Sequence, residues 1–248
     1  ISLIMTSVGL WILSLLPVDE PESEASMPAT LNLEPLLGFL DELSQHNNKA
    51  WFETNRAAYA AARATFEHLV DDLIDEFRAS DHLQGLSAKN CIARIYRDVR
   101  FSKDKSPYKT NLGAMIARGG WKTPALGYYV SIEPHGQSMV AGGLYAPTPE
   151  QLSRFRQAID EDAAAFKTLT HAKDFGKAFG EVEGDRLKTA PKGYDRAHPD
   201  IALLQLKQIT AVHRFSDQEV LAPDFAGQVV FCCRAMRPWR DYLNGVVQ

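Results

Sequence analysis

Between Lys49 and Ala79 large apolar side chains return at every third or fourth position, and no other stretch of the chain keeps one period for so long. Trp51, Phe52, Tyr59, Phe66, Leu69, Val70, Leu73, Ile74 and Phe77 mark one helical face, while Arg56, Arg63, Glu67, Asp71, Asp75 and Glu76 lie mostly off it. An amphipathic helix of this length must bury its apolar side against something, and the chain downstream supplies strands. After Asp81 the period shortens: Leu112–Ala117, Tyr128–Glu133 and Met139–Tyr145 read as strands, with Pro134-His135-Gly136-Gln137 as a turn between the last two. Ile92, Ile95 and Tyr96 suggest a further strand ahead of the polar stretch Arg97–Thr110, and Ile209–Phe215 is also β-like.

Helices flank this run of strands. Pro35 suits a first helical turn and is followed by Leu36, Leu37, Leu40 and Leu43 at helical spacing; Asn47 and Asn48 end that helix and can cap the next. Thr148-Pro149-Glu150 opens another, continued by Leu152, Phe155, Ile159, Phe166 and Leu169. Gly180–Pro199 is rich in Gly, Pro and charge and reads as a long loop with one short strand near Leu187. Ser216-Asp217 can cap a short helix, and Asp224–Val246 reads as a terminal helix kinked at Pro238. Strands in succession with helices on both sides predict an α+β fold rather than alternating βαβ units. The expectation is a single domain, a mainly antiparallel sheet packed against a long N-terminal helix and C-terminal helices.

A hydrophobic fraction of 45% against 23% charged residues supplies enough apolar surface for a sizeable core. Residues 1–18 carry no charge, yet Ser7, Gly9, Ser14 and Pro17 interrupt them, no basic segment precedes them, and a polar run follows from Glu20 to Met27. Residues 1–26 therefore read as an extension outside the fold and 27–248 as the domain, with a signal or anchor helix as the rival reading of the first eighteen. Cys91, Cys232 and Cys233, an odd number without C-x-x-C spacing, fit reduced thiols in a cytoplasmic protein, and a membrane partner is not favoured.

Charge is unevenly placed. Seven Lys/Arg lie between Lys89 and Lys109 against Asp98 and Asp104, a local +5 in a chain of net charge −4, so everything else sums to −9. An acidic chain with one basic island is not built to coat nucleic acid, which is disfavoured as a partner. The island contains the run Arg94-Ile95-Tyr96-Arg97-Asp98-Val99-Arg100-Phe101-Ser102-Lys103-Asp104-Lys105-Ser106-Pro107-Tyr108-Lys109-Thr110-Asn111. It closely resembles the signature of the family known as domain of unknown function 2461. Two further stretches resemble that family's pattern: Gly127-Tyr128-Tyr129 leading to Gly142-Gly143-Leu144-Tyr145-Ala146-Pro147, and Leu187-Lys188 with Pro191-Lys192-Gly193-Tyr194-Asp195 and His198-Pro199. The resemblance extends over about residues 35 to 245 and implies membership of a bacterial and fungal family, without implying an activity.

The chemistry must be read from the residues. Arg94, Arg97 and Arg100 converge only if a turn or bulge intervenes near Asp98, because a spacing of three alternates the faces of a strand. Arginine offers a fork of donors for phosphate or carboxylate and lysine a point charge. Arg94, Arg97, Arg100, Ser102, Lys103, Lys105, Tyr108 and Lys109 are thus the expected binding set for a small anionic ligand. A second reading is an enzyme acting on a phosphoester or acyl substrate, in which the same cations stabilise developing charge and Asp98, Tyr108 or His198 moves protons. A third is a scaffold, with Arg97–Asp98 and Asp104–Lys105 as internal pairs and the segment tied to acidic helices through Glu53, Asp71 and Asp75. Ser102-x-x-Lys105 lacks the companion motifs of serine–lysine enzymes. The seven histidines show no metal-ligand spacing and no nucleotide-binding glycine motif occurs, so neither metal nor cofactor is expected. Tyr108, Trp121, Tyr128, Tyr129 and Tyr145 read as sheet packing in preference to a stacking surface for bases.

Overall fold

Helix α1 (Glu34–Gln45) starts with Pro35 in its first turn and buries Leu36, Leu37, Phe39, Leu40 and Leu43. The computed structural model describes residues 31–247, so the expected extension 1–26 lies outside the described residues. The long helical signal becomes two helices, α2 (Lys49–Thr54) and α3 (Arg56–Phe77). Asn48 opens α2 by accepting the Trp51 N–H at 3.0 Å. Asn55 ends it: its amide side chain donates to the Trp51 carbonyl at 2.9 Å, and its own N–H is shared between the carbonyls of Trp51 and Phe52. A side chain competing for helix carbonyls interrupts the helix without disturbing the apolar period, which is why the break escapes a periodicity argument.

The strand expected around Ile92–Tyr96 does not form as a ladder. One helical turn, α4 (Ala88–Cys91), precedes it, and the segment then makes two single bridges, Ile92 with Ala114 and Tyr96 with Tyr108. Three residues lie between these bridges on one side and five on the other, so a bulge replaces continuous pairing.

Strands β1 (Leu112–Ile116), β2 (Tyr128–Ile132), β3 (Ser138–Leu144) and β4 (Ile209–Phe215) form a sheet in the order β1-β2-β3-β4, antiparallel throughout. Helix α5 (Pro149–Thr170) begins in a reciprocal cap between Thr148 and Gln151 and departs from helical geometry at Asp162. Two further helices, α6 (Lys173–Phe179) and α7 (Ile201–Leu204), are too short for periodicity to announce. The short strand expected near Leu187 reduces to the bridges Glu183–Thr210 and Arg186–Leu206. Ser216 caps α8 (Asp217–Val220), and α9 (Phe225–Val247) carries Pro238 inside it.

One sheet face is the core. Leu112, Ala114, Ile116, Tyr128, Val130, Ile132, Val140, Leu144, Ile209, Ala211 and Phe215 are buried there, in one cluster with the apolar faces of the helices. Helix α3 lies against β1 and α9 against β3. The close approach of α9 explains the pair Gly142-Gly143. A Cβ on Gly142 would lie 2.2 Å from the Met236 sulfur; one on Gly143, at φ +101°, would lie 2.2 Å from the Ile209 carbonyl oxygen and 2.6 Å from the Trp239 ring. The architecture is the expected α+β domain, with an antiparallel sheet packed on one face against a long N-terminal helix and C-terminal helices.

Candidate functional site

The basic segment pairs part of its charge within its own loop while keeping most of it exposed. Arg97 pairs with Asp104 across the loop, and Arg100 grips Asp98 through Nε at 2.9 Å and Nη2 at 2.6 Å, so the pairs anticipated between chain neighbours are exchanged for pairs that close the loop. The Arg100 bonds hold the Asp98 carboxyl below its ordinary range. Asp104 also accepts the Ser106 hydroxyl and its N–H at 2.9 Å, and these bonds, with Arg97, hold its carboxyl far below the usual carboxylate range. Lys105 Nζ donates to the Val99 carbonyl at 2.9 Å, and Ser102 sits half-buried, 3.5 Å from Arg97 Nη2.

Tyr108 is buried. Its ring stacks on Phe52 at 4.0 Å and its backbone exchanges two hydrogen bonds with the Asn47 side chain, which fastens the segment to the α1–α2 turn. Burial pushes its hydroxyl up in pKa. Arg94, Lys103 and Lys109 make no ion pair among the described residues; Lys109 is half-buried, and burial together with the nearby Arg94 lowers its pKa. His198 stands elsewhere. Its Nδ1 accepts the Asp200 N–H at 3.0 Å, so its Nε2 carries the proton and faces Asp160 at 3.2 Å. Both ring nitrogens are committed to fastening the α6–α7 loop onto α5. Neither of the two cavities described next is lined by any residue of Arg94–Asn111 or by His198.

The larger cavity, about 870 Å³, lies over the sheet face that the helices leave open. Strand alternation puts Met115, Tyr129, Ala141 and Val212 in one register row across β1 to β4, with Met139 and Arg214 paired in the next row and Thr210 opposite Gly143. Trp121 and the 123–127 segment wall one side, and Glu183, Gly184 and Asp185 the other, with Tyr145 and Ala146 at the end of β3. Several positions are shaped for this. A Cβ on Gly113 would meet the Tyr129 hydroxyl at 2.6 Å, so the bare backbone there lets the Tyr129 ring lie across β1. Asn111 then fixes the ring by donating to its hydroxyl at 3.2 Å. Trp121 follows Gly120, whose left-handed conformation (φ +61°) brings it within 2.5 Å of the Asn90 carbonyl oxygen, measured from where a Cβ would stand. The indole N–H donates to the Cys91 carbonyl, and the ring sits edge-on to Tyr129 at 6.3 Å and 74°. Trp121 is 48% exposed and Tyr145 77%. The charged rim is already paired: Arg214 with Glu183 at 3.2 Å and Lys207 with Asp185 at 3.6 Å, while the Thr210 hydroxyl donates to the Glu183 carbonyl at 3.0 Å.

The smaller cavity, about 290 Å³, opens beside α9 and contains the buried pair Asp81–Arg240. Arg237 adds a second contact to Asp81 at 3.0 Å, and the Arg240 guanidinium lies 4.5 Å from the centre of the Tyr128 ring. Burial alone would raise the Asp81 carboxyl, but the bonds from Arg240 outweigh it and hold the pKa below its ordinary value.

The model of a conserved hypothetical family, DUF2461, matches residues 35–242. The chain belongs to that family. No curated protein and no solved structure matches it. Of the three stretches that carry the DUF2461 resemblance, Gly127–Tyr129 and Gly142–Pro147 supply seven lining residues of the larger cavity, and Arg94–Asn111 supplies none. The expected binding set thus surrounds no cavity described here, and the residues that do were read as packing (Trp121, Tyr129, Tyr145) or passed over (Met115, Met139, Glu183, Asp185, Gln208, Arg214). A signal for them exists. A sheet face open to water ordinarily carries polar side chains, and Met115, Tyr129, Ala141 and Val212 are out of character there.

Proposed function

We propose that the protein binds a small organic ligand with a flat apolar body in the groove over the open face of the sheet. The observation that carries this reading is a groove of drug-ligand size with a floor of Met115, Tyr129, Ala141 and Val212 and aromatic walls. The floor is rigid, being backbone-registered strand, and the Trp121 ring is held by its bond to Cys91, so the site is organised before any ligand arrives. Polar selectivity comes from the rim of Gln208, Thr210, Glu183, Asp185 and Arg214. Because the charged members of that rim are already held in ion pairs, Arg214 with Glu183 and Asp185 with Lys207, the geometry favours holding a ligand over transforming one. The test is a ligand-observed NMR screen of aromatic and alicyclic fragments on the wild type and on Ala141→Phe, whose new ring fills the floor. Fragments that bind the first and not the second support the groove; no binders, or equal binding, removes it.

A second reading is kept for the basic segment, on a specific observation: Arg94 and Lys109 lie close enough to repel, and neither forms an ion pair among the described residues. An oxyanion at that pair would relieve the repulsion. Phosphate and sulfate should then raise the melting temperature of wild type and fail to do so in Arg94→Ala and Lys109→Ala, whereas Arg97→Ala, with its arginine already spent on Asp104, should respond like wild type.

A further inference from the structure

The loop from Asp98 to Ser106 displays a phenylalanine. Phe101 is 96% exposed, and the Arg100 guanidinium lies 5.9 Å from the centre of its ring. The display is built. Arg97–Asp104 closes the base, Arg100–Asp98 clamps one limb, Lys105 ties to the Val99 carbonyl, and the Ser102 N–H reaches the same carbonyl at 3.3 Å. With its polar groups used to brace the loop, the ring is held in water where no conformational collapse within the loop covers it, and its burial is available only to a partner. Six cations, Arg94, Arg97, Arg100, Lys103, Lys105 and Lys109, lie between positions 94 and 109 against two aspartates, and three of them, Arg100, Lys103 and Lys105, are in the loop itself. At the root of the loop Tyr96 is half-exposed, leaning on Tyr108 at 5.4 Å.

A projecting apolar ring set among cations is complementary to a surface that is anionic outside and apolar just beneath. We propose that loop 98–106 is an interfacial docking tip for an anionic lipid surface, with Phe101 entering the headgroup–acyl boundary and Lys103 and its neighbours on the lipid phosphates. The argument is independent of the groove. Binding of single-stranded nucleic acid calls instead for a concave cationic track with successive stacking faces, and the loop lines neither cavity and offers one fully exposed ring. No helix among the described residues is long and apolar enough to cross a membrane, and interfacial attachment needs none.

The experiment uses the full chain with sedimenting vesicles of phosphatidylcholine alone or with one-third phosphatidylserine. The expected result is salt-sensitive binding that requires phosphatidylserine and weakens about tenfold in Phe101→Ser and in Lys103→Glu, the loss expected for one apolar anchor or one cation near the surface. The uncharged run 1–18 could bring the chain to vesicles by itself, so a local readout accompanies the binding curve. In Phe101→Trp, the introduced indole should shift to the blue and be quenched by brominated acyl chains, beyond the change seen in wild type. Vesicle binding unaffected by Phe101→Ser, an introduced indole insensitive to brominated lipid, or one that responds to a single-stranded oligonucleotide and not to vesicles would overturn the assignment.

Discussion

Replacing Asp81 by asparagine should be among the most damaging isosteric changes in the chain. The carboxylate is 3% exposed, paired with Arg240 (7% exposed) and with Arg237 at 3.0 Å. Asparagine keeps the shape and removes the charge, leaving the buried Arg240 with one charged partner, the half-exposed Asp241, which accepts from its Nε at 3.0 Å. Breaking one side of a buried pair costs about 3–5 kcal/mol. The surviving contact to Asp241 puts this case at the low end, about 3 kcal/mol. For a domain of this size that is a fall in melting temperature of about 6–12 °C. Calorimetry and urea titration both measure it. The pH dependence has a definite sign. Asp81 titrates below its ordinary value in the folded state, so its contribution is complete above the unfolded pKa, near 3.9, and disappears as the pH falls through the folded value. The deficit of Asp81→Asn relative to wild type should be constant around neutrality and narrow below about pH 4. Arg240→Met removes the partner charge, and its losses should be strongly non-additive with those of Asp81→Asn. A deficit below about 1 kcal/mol, or additive losses, would refute the coupling.

Gly143→Ala should destabilise by about 2–4 kcal/mol in urea titrations, combining left-handed strain with overpacking against the Ile209 carbonyl and Trp239. Gly38→Ala, which meets nothing within 4 Å in a helix, should be neutral or stabilising. Gly113→Ala should leave the chain folded but push the Tyr129 ring off the groove floor, so fragment affinity should drop while the Asp81-dependent part of stability is untouched. The thiols should be inert to a disulfide reagent at pH 8 in the native state and react three per chain in denaturant: all three are buried, with Cys91 and Cys232 pushed up to about 12 by burial.

How much of this was legible beforehand follows from which physical signals are local. Strands Leu112–Ile116, Tyr128–Ile132, Ser138–Leu144 and Ile209–Phe215 each fall within a residue or so of the alternation read from the sequence, because the core face of the sheet is apolar at every second position. The break at Asn55 and the helices α6 and α7 were not, since a side-chain amide competing for carbonyls and helices of four to seven residues leave no periodic trace. The basic segment was visible as charge, but its pairing was not. Proximity along the chain favours Arg97–Asp98 and Asp104–Lys105, whereas the loop closes through Arg97–Asp104 and Arg100–Asp98. The groove was hidden for a different reason. Its walls come from the 120–127 connection and the 183–185 segment, which meet the sheet only through tertiary approach, and an aromatic on a strand looks the same whether it faces a core or a cavity.

Methionine methyl spectroscopy tests the groove most directly. Met115 and Met139 line it, while Met236 is fully buried on the opposite face of the same sheet, against Gly142. In protein labelled with carbon-13 at the methionine methyls, titration with a fragment that binds wild type and not Ala141→Phe should shift the Met115 and Met139 resonances saturably and together. The Met236 resonance should stay in place. Shifts confined to Met236, or a saturating ligand that moves neither Met115 nor Met139, would contradict a binding site on the open face of the sheet.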